Sequence, residues 1–290
     1  MLKPTGLVRG HYECRSFEES LPILKEFLAL EVVDEREGQT IVKHPNTGWQ
    51  LVVHANGANA PIKSMRNHYG VRVATNAEVD RATEYLEQKK EKFGIKIIKP
   101  RENHNAYSVH FYEPGGNYWE IESYEHAVEH GMGKTTNPHW TTPISEERFP
   151  NRGYVPQALT HGTLENDDLE GSEQFYRDAL GLEVVKLWPS SCYVKHPDTP
   201  WYVVCIRAQN PNRRRLSPYQ RFTIAVASPD AVYQAHRSFE SNRDLWQLSQ
   251  LNEIKESDGA ASFLFADLNG NWWEISSVIL SCFCQADAKL

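Results

Sequence analysis

At 290 residues, 40% hydrophobic and 24% charged, the chain has the composition of a soluble globular protein long enough for two domains. A net charge of −7 argues against a nucleic-acid role, and no apolar run approaches the ~20 residues of a membrane span. The opening Met1–Gly6 lacks a signal-peptide apolar core, and the five cysteines (Cys14, Cys192, Cys205, Cys282, Cys284) lack metal-knuckle spacing, so a cytoplasmic location with reduced thiols is expected.

In chain order, residues 7–15 read as a strand. Ser16 then caps a helix, with Glu19 placed for a capping box and Leu21, Leu24, Phe27 and Leu28 at helical spacing. Short strands near 31–36, 39–43 and 49–54 complete a β-α-β-β-β unit. A polar stretch leads to a second unit: a strand at 68–74, a helix at 77–93 stopped by Gly94, and strands near 95–99, 106–112 and 117–123. Residues 124–156, rich in proline and carrying His126, His130 and His139, read as a packed linker whose histidines lie at the surface. A third unit starts at Leu159-Thr160-His161 and a fourth at Arg221-Phe222. Arg213-Arg214-Arg215 reads as a solvated loop, and residues 281–290 as a tail.

The units repeat. Lys43-His44-Pro45-Asn46-Thr47-Gly48-Trp49 returns as Lys195-His196-Pro197-Asp198-Thr199-Pro200-Trp201, and Leu30-Glu31-Val32-Val33 as Leu182-Glu183-Val184-Val185, both shifted by 152. Gly116-Asn117-Tyr118-Trp119-Glu120-Ile121 returns as Gly270-Asn271-Trp272-Trp273-Glu274-Ile275, shifted by 154. One half is a copy of the other. The expected fold is α+β: two tandem domains, 1–123 and 157–280, each a pair of β-α-β-β-β modules forming a curved mixed sheet with outer helices. Such a sheet leaves an open concave face lined by alternate strand residues.

On the strand at 68, Tyr69, Val71 and Val73 share the apolar face, so His68, Gly70 and Arg72 face the cup. Around 120, Trp119 and Ile121 leave Tyr118, Glu120 and Glu122 on the cup side. Along 106–112 the same alternation presents Ser108, His110 and Tyr112, and the first strand presents His11, Glu13 and Arg15. His11, His68 and Glu120 thus come from three strands toward one cup. Two imidazoles and one carboxylate on one side of a metal are the facial arrangement of non-haem Fe(II) oxygenases. In the second half His161 is matched to His11, Glu274 to Glu120 and Arg221 to His68; a fixed cation cannot ligate a metal, so the complete set lies in the first half. His44 and His196, each before proline, read as turn residues in both halves, and His54 and His104 as strand-end histidines without an assigned role.

At these residues the chain resembles the vicinal oxygen chelate superfamily. Leu159-Thr160-His161 through Ser172-x-x-Phe175-Tyr176-x-x-Ala179-Leu180-Gly181-Leu182 is similar to its opening motif, Phe111-Tyr112-Glu113-Pro114-Gly115-Gly116-Asn117-x-x-Glu120 to its closing motif, and Asn67–Val73 to the strand of its second ligand. Length and four modules resemble most the type I extradiol ring-cleaving dioxygenases. The resemblance implies Fe(II), with Mn(II) or Zn(II) as substitutes, held by His11, His68 and Glu120, with a small aromatic diol and O2 as substrates. His110 stands ten residues before the glutamate, where the family has a tyrosine, and is assigned proton transfer with Tyr112 beside it. Arg72, Trp49 and Tyr118 are expected at the substrate, and a homo-oligomer is expected. Two alternatives stay open. If modules pair crosswise, the second meets the third and His161 replaces His11 as a ligand. The reaction could also be non-redox, as in glyoxalase I or the fosfomycin-resistance proteins, and a cup that only sequesters a flat ligand ranks last.

Overall fold

A computed structural model describes residues 1–60, 66–103, 106–125, 146–197, 199, 201–210 and 212–277. The linker histidines His126, His130 and His139, together with His104, Cys282 and Cys284, lie outside the described residues. The first module is β1 (Gly6–Cys14), α1 (Phe17–Leu28), β2 (Glu31–Arg36), β3 (Gln39–Lys43) and β4 (Gln50–Ala55). The second is β5 (His68–Arg72), α2 (Asn76–Phe93), β6 (Lys96–Asn103), β7 (Ala106–Tyr112) and β8 (Tyr118–Ser123). The third is β9 (Ala158–Asn166), α3 (Leu169–Asp178), β10 (Glu183–Trp188), β11 (Ser191–Lys195) and β12 (Tyr202–Arg207). The fourth is β13 (Arg221–Ala225), α4 (Pro229–Ser241), β14 (Gln250–Leu251), β15 (Lys255–Ser257), β16 (Ala260–Ala266) and β17 (Trp272–Ser276). No described helix is long and apolar enough to cross a membrane.

The caps that delimit the helices follow from local chemistry. The Thr75 hydroxyl accepts from the Glu78 amide while the Glu78 carboxylate accepts from the Thr75 amide, and Gly94 closes α2 at φ 63° in the left-handed region. Only half of the box expected at α1 forms: the Ser16 hydroxyl accepts from the Glu19 amide, but the Glu19 carboxylate turns to Arg15 at 2.8 Å.

The fold is α+β, with two mixed sheets that each combine two modules. One sheet runs β14-β16-β17-β13-β1-β4-β3-β2, with β15 on β16; the other runs β10-β11-β12-β9-β5-β8-β7-β6. Modules one and four therefore share a sheet, and modules two and three share the other. Each sheet crosses the sequence halves, so 1–123 and 157–280 each supply a module to both sheets. The joins are antiparallel pairs between first strands, β1 with β13 and β5 with β9. Glycine makes the joins close enough for aromatic crossings. A Cβ on Gly10 would lie 2.6 Å from the Tyr69 hydroxyl, and one on Gly162 would lie 2.7 Å from the Phe222 ring.

Apolar faces of both sheets and all four helices merge in one core that includes Tyr12, Phe27, Leu86, Trp119, Phe175, Phe239 and Trp273. Trp49, expected at the substrate, belongs to this core instead. It is 0% exposed and stacks on Trp201 (centroids 6.0 Å, interplanar 7°) and on Phe222 (6.1 Å, 11°). The repeated Lys-His-Pro-x-Thr-x-Trp motif survives in both halves because its two indoles pack on each other. Each buried ring of this size contributes roughly 4–6 kcal/mol of transfer free energy before entropy costs.

The histidine of the motif is structural too. The Asn46 amide donates to His44 Nδ1 at 3.2 Å, and His44 Nε2 meets the Pro156 carbonyl at 3.0 Å, which fixes a neutral ring with its proton on Nε2. Burial lowers the His44 pKa to about 3. The unfolded chain, with a histidine pKa near ~6.5, binds that proton more readily, so stability is complete above pH ~6.5 and falls as the pH drops toward 3. At pH 5 the loss from His44 is about 2 kcal/mol. Urea unfolding at pH 7.5 and 5.0 checks this: wild type is expected to lose about that much more stability than His44→Gln. Equal losses in the two proteins would remove His44 as a cause.

Candidate metal centre

The eight-stranded sheet builds a compact donor cluster. On β5, Tyr69 and Val71 enter the core, leaving His68, Gly70 and Arg72 on the concave face. On β8, Trp119 and Ile121 enter the core, leaving Tyr118, Glu120 and Glu122 facing the cup. The third strand is β9, which pairs with β5 and places His161 opposite Gly70. His68 Nε2 lies 3.0 Å from Glu120 Oε2, His161 Nε2 lies 3.1 Å from the same oxygen, and the two nitrogens are 3.3 Å apart. Among the described residues this is the one group of three such side chains whose donor atoms lie within 4.8 Å of one another.

These separations suit a metal ion. Three bonds of roughly 2.1 Å at mutual right angles span donors about 3.0 Å apart, and a tetrahedral site spans about 3.4 Å. The donors also share one face, which leaves the opposite face to other ligands. All three residues are buried, with exposures of 3–8%. Burial alone would raise the Glu120 pKa, but His110, His161 and His68 outweigh it and hold the carboxylate well below its usual range. Burial lowers the His68 pKa, which favours the neutral ring that a metal requires. At His161 burial also pulls downward, but Glu122 and Glu120 outweigh it and raise the pKa to about 9.

A supporting layer orients the donors. His161 Nδ1 lies 3.3 Å from Glu122 Oε1 and 3.0 Å from Thr160 Oγ1, so its Nε2 is presented to the cluster. The Arg72 guanidinium donates to Glu122 at 2.8 Å and to the Tyr202 hydroxyl at 3.2 Å, and it covers the Tyr124 ring at 4.1 Å. Arg72 was expected to meet substrate; here it is committed to Glu122. The Tyr202 ring stacks on His161 (5.6 Å, 11°), and Tyr118 lies 6.1 Å from His68. Tyr112 packs edge-on against Tyr118 at 4.2 Å. His110 Nε2 lies 3.2 Å from Glu120 Oε1, the oxygen that the other two histidines leave free, while its buried Nδ1 has no hydrogen-bond partner among the described residues.

His11 is not in this cluster. It sits on β1 in the other sheet, with Nδ1 3.0 Å from His54 Nε2 and Nε2 2.9 Å from Thr223 Oγ1. The Thr223 hydroxyl donates onward to Glu274 at 2.7 Å. A proton on Nε2 of each imidazole satisfies the whole chain with both rings neutral. Burial agrees, lowering the His54 pKa to about 4 and that of His11 well below 6.5. The strand register explains the displacement. His161 pairs with Tyr202 and Arg9 with Gln50, both shifted by 152, so Arg9 is the repeat equivalent of His161 and His11 that of Thr163. Matching His161 to His11 slipped the repeat by two residues, which preserves the strand face and therefore escapes an alternation argument. Sequence reasoning also missed the tasks of Glu122, Tyr202 and Gly70. Glu122 had been placed on the cup face, but nothing in the pattern told its supporting role from that of a ligand.

No family model matches the chain, and no curated protein matches it. Solved structures do match. Glyoxalase I from Zea mays has a TM-score of 0.64 at 15% identity, over 93% of this chain and 91% of that one. A Bacillus subtilis protein provisionally called a dioxygenase has a TM-score of 0.64 at 13% identity, over 95% of this chain and 86% of that one. At such identities the likeness is one of fold.

Proposed function

We propose that the chain is a metal-dependent enzyme of the vicinal oxygen chelate kind, holding Fe(II) on His68, Glu120 and His161 and cleaving the ring of a small catecholic substrate with O2. What carries the reading is the convergence of two imidazole nitrogens and one carboxylate oxygen on one point of a cup walled by Tyr118 and Tyr202. Held by His68, Glu120 and His161, Fe(II) would supply the electron transfer that dioxygen needs.

The chain's own residues have separable tasks. Arg72 fixes Glu122, and Glu122 with Thr160 fixes the tautomer and tilt of His161. Tyr118, with Tyr112 edge-on against it, packs beside His68, and Tyr202 stacks on His161, so aromatic rings flank the donors on two sides. His110 donates Nε2–H to Glu120, which leaves the Nδ1 lone pair free to accept a substrate hydroxyl proton. Protein reconstituted anaerobically with Fe(II), given a panel of catechols and then O2, is expected to consume oxygen. His110→Gln is expected to retain iron and lose about 10²–10⁴-fold in rate. Absence of O2 uptake with any metal and any chelating substrate would end this reading.

The fold shared with maize glyoxalase I favours a second reading, in which the same three donors hold a Lewis-acidic Zn(II) for a non-redox isomerisation or lyase step. Turnover that persists under strict anaerobiosis with Zn(II) would select it.

A further inference from the structure

The nine-stranded sheet has its own concave face, and register shows what became of the donor positions there. Arg9 stands where the other sheet has His161. Gly10 pairs with Phe222 as Gly162 pairs with Tyr69, so Arg221 stands where the other sheet has His68; Glu274, on β17 beside β13, stands for Glu120. Two imidazoles have become two guanidinium groups around a retained carboxylate. A guanidinium has no lone pair to offer, so this cup cannot hold a metal ion as its counterpart can.

The charges do not cancel. Arg221 Nε donates to Glu274 at 3.1 Å and one terminal nitrogen donates to the Pro218 carbonyl at 2.9 Å. Glu274 also accepts from the Thr223 hydroxyl. Arg9 makes a single hydrogen bond, Nε to Gln50 Oε1 at 3.1 Å, and no ion pair among the described residues. It is half-buried, and burial together with Arg221 and Arg36 disfavours its charged state while Glu274 and Asp34 support it. His11 and His54 are neutral and add no positive charge. A partly desolvated guanidinium fork, whose two terminal nitrogens have no partner among the described residues, therefore faces this cup. Trp272, the counterpart of Tyr118, pairs in register with Arg221, and the exposed Tyr219 ring lies 5.0 Å from His54, so aromatic rings share this face.

We infer that this second cup is an anion site that takes a small organic carboxylate, seated on the Arg9 fork with its flat remainder against these aromatic rings. A carboxylate matches the planar pair of donors that the Arg9 fork leaves open. The inference is independent of the metal centre, because it uses residues of the other sheet only.

Calorimetric titration with sodium benzoate, and separately with sodium phosphate, tests it. Benzoate is expected to bind at one site in wild type. Arg9→Gln is expected to weaken binding by about tenfold or more, while Glu274→Gln, which frees Arg221, is expected to strengthen it. His161→Ala, on the other sheet, is expected to leave it unchanged. Thermal melting verifies that each variant is folded, and the opposite signs at Arg9 and Glu274 cannot both come from misfolding. Benzoate binding that is absent, indifferent to Arg9→Gln or abolished by His161→Ala would overturn the site. Phosphate binding more tightly than benzoate would overturn the carboxylate assignment.

Discussion

His161→Ala is expected to abolish metal binding, and His11→Ala to leave it intact. His161 Nε2 lies 3.1 Å from Glu120 Oε2 and 3.3 Å from His68 Nε2, so its loss leaves two protein donors. The fall in affinity should exceed the roughly 100-fold upper end seen when only an outer supporting group is removed. His11 lies in the other sheet, and its loss leaves the His54 Nε2–H without its acceptor while Thr223 keeps its bond to Glu274. That costs about 1–3 kcal/mol of stability without touching the cluster. Competition titrations of Co(II) against a chelator, with melting curves on the same samples, separate the two outcomes. Retained affinity in His161→Ala, or lost affinity in a folded His11→Ala protein, would contradict the crosswise pairing of modules.

Gly70→Ala should damage the same centre without changing any charge. A Cβ there would collide with His161 Cε1 and lie 2.7 Å from its Nε2. The ring cannot step aside cheaply, because Thr160, Glu122 and Glu120 hold it on both nitrogens. Either the imidazole swings out of the cluster or β5 and β9 spread at their join. The glycine lies outside the left-handed region, so backbone strain does not confuse the result. We expect metal affinity to fall by about 100-fold, comparable to the loss of a supporting group, with a stability cost of about 1–3 kcal/mol from overpacking. Affinity equal to wild type would mean that the close approach of Gly70 to the ring is not required.

Much of the fold was legible because it rests on local chemistry. The cap at Thr75, the left-handed stop at Gly94 and the alternation of Tyr69, Val71, Trp119 and Ile121 all act over a few residues. So did the faces of His68, Glu120 and His110, since a strand's period is two whatever it pairs with. Strand partnership was less accessible. Whether β5 meets β1 or β9 depends on edges far apart in sequence, and both choices bury the same apolar faces. The aromatic crossings at Gly10 and Gly162 belong to that tertiary choice. The two-residue slip that promoted His11 over Arg9 was correctable from the sequence, because the shift of 152 runs unchanged from Arg9-Gly10 to His161-Gly162. Trp49 carried a similar clue: an aromatic kept in both halves belonged to the fold.

The account stands on the meeting of β5, β8 and β9 around one cation. A crystal loaded anaerobically with Fe(II) and measured across the iron absorption edge tests that meeting directly. One anomalous peak within bonding distance of His68 Nε2, Glu120 Oε2 and His161 Nε2 is the result expected. A peak beside His11 and Glu274, or none in a fully loaded crystal, would contradict it.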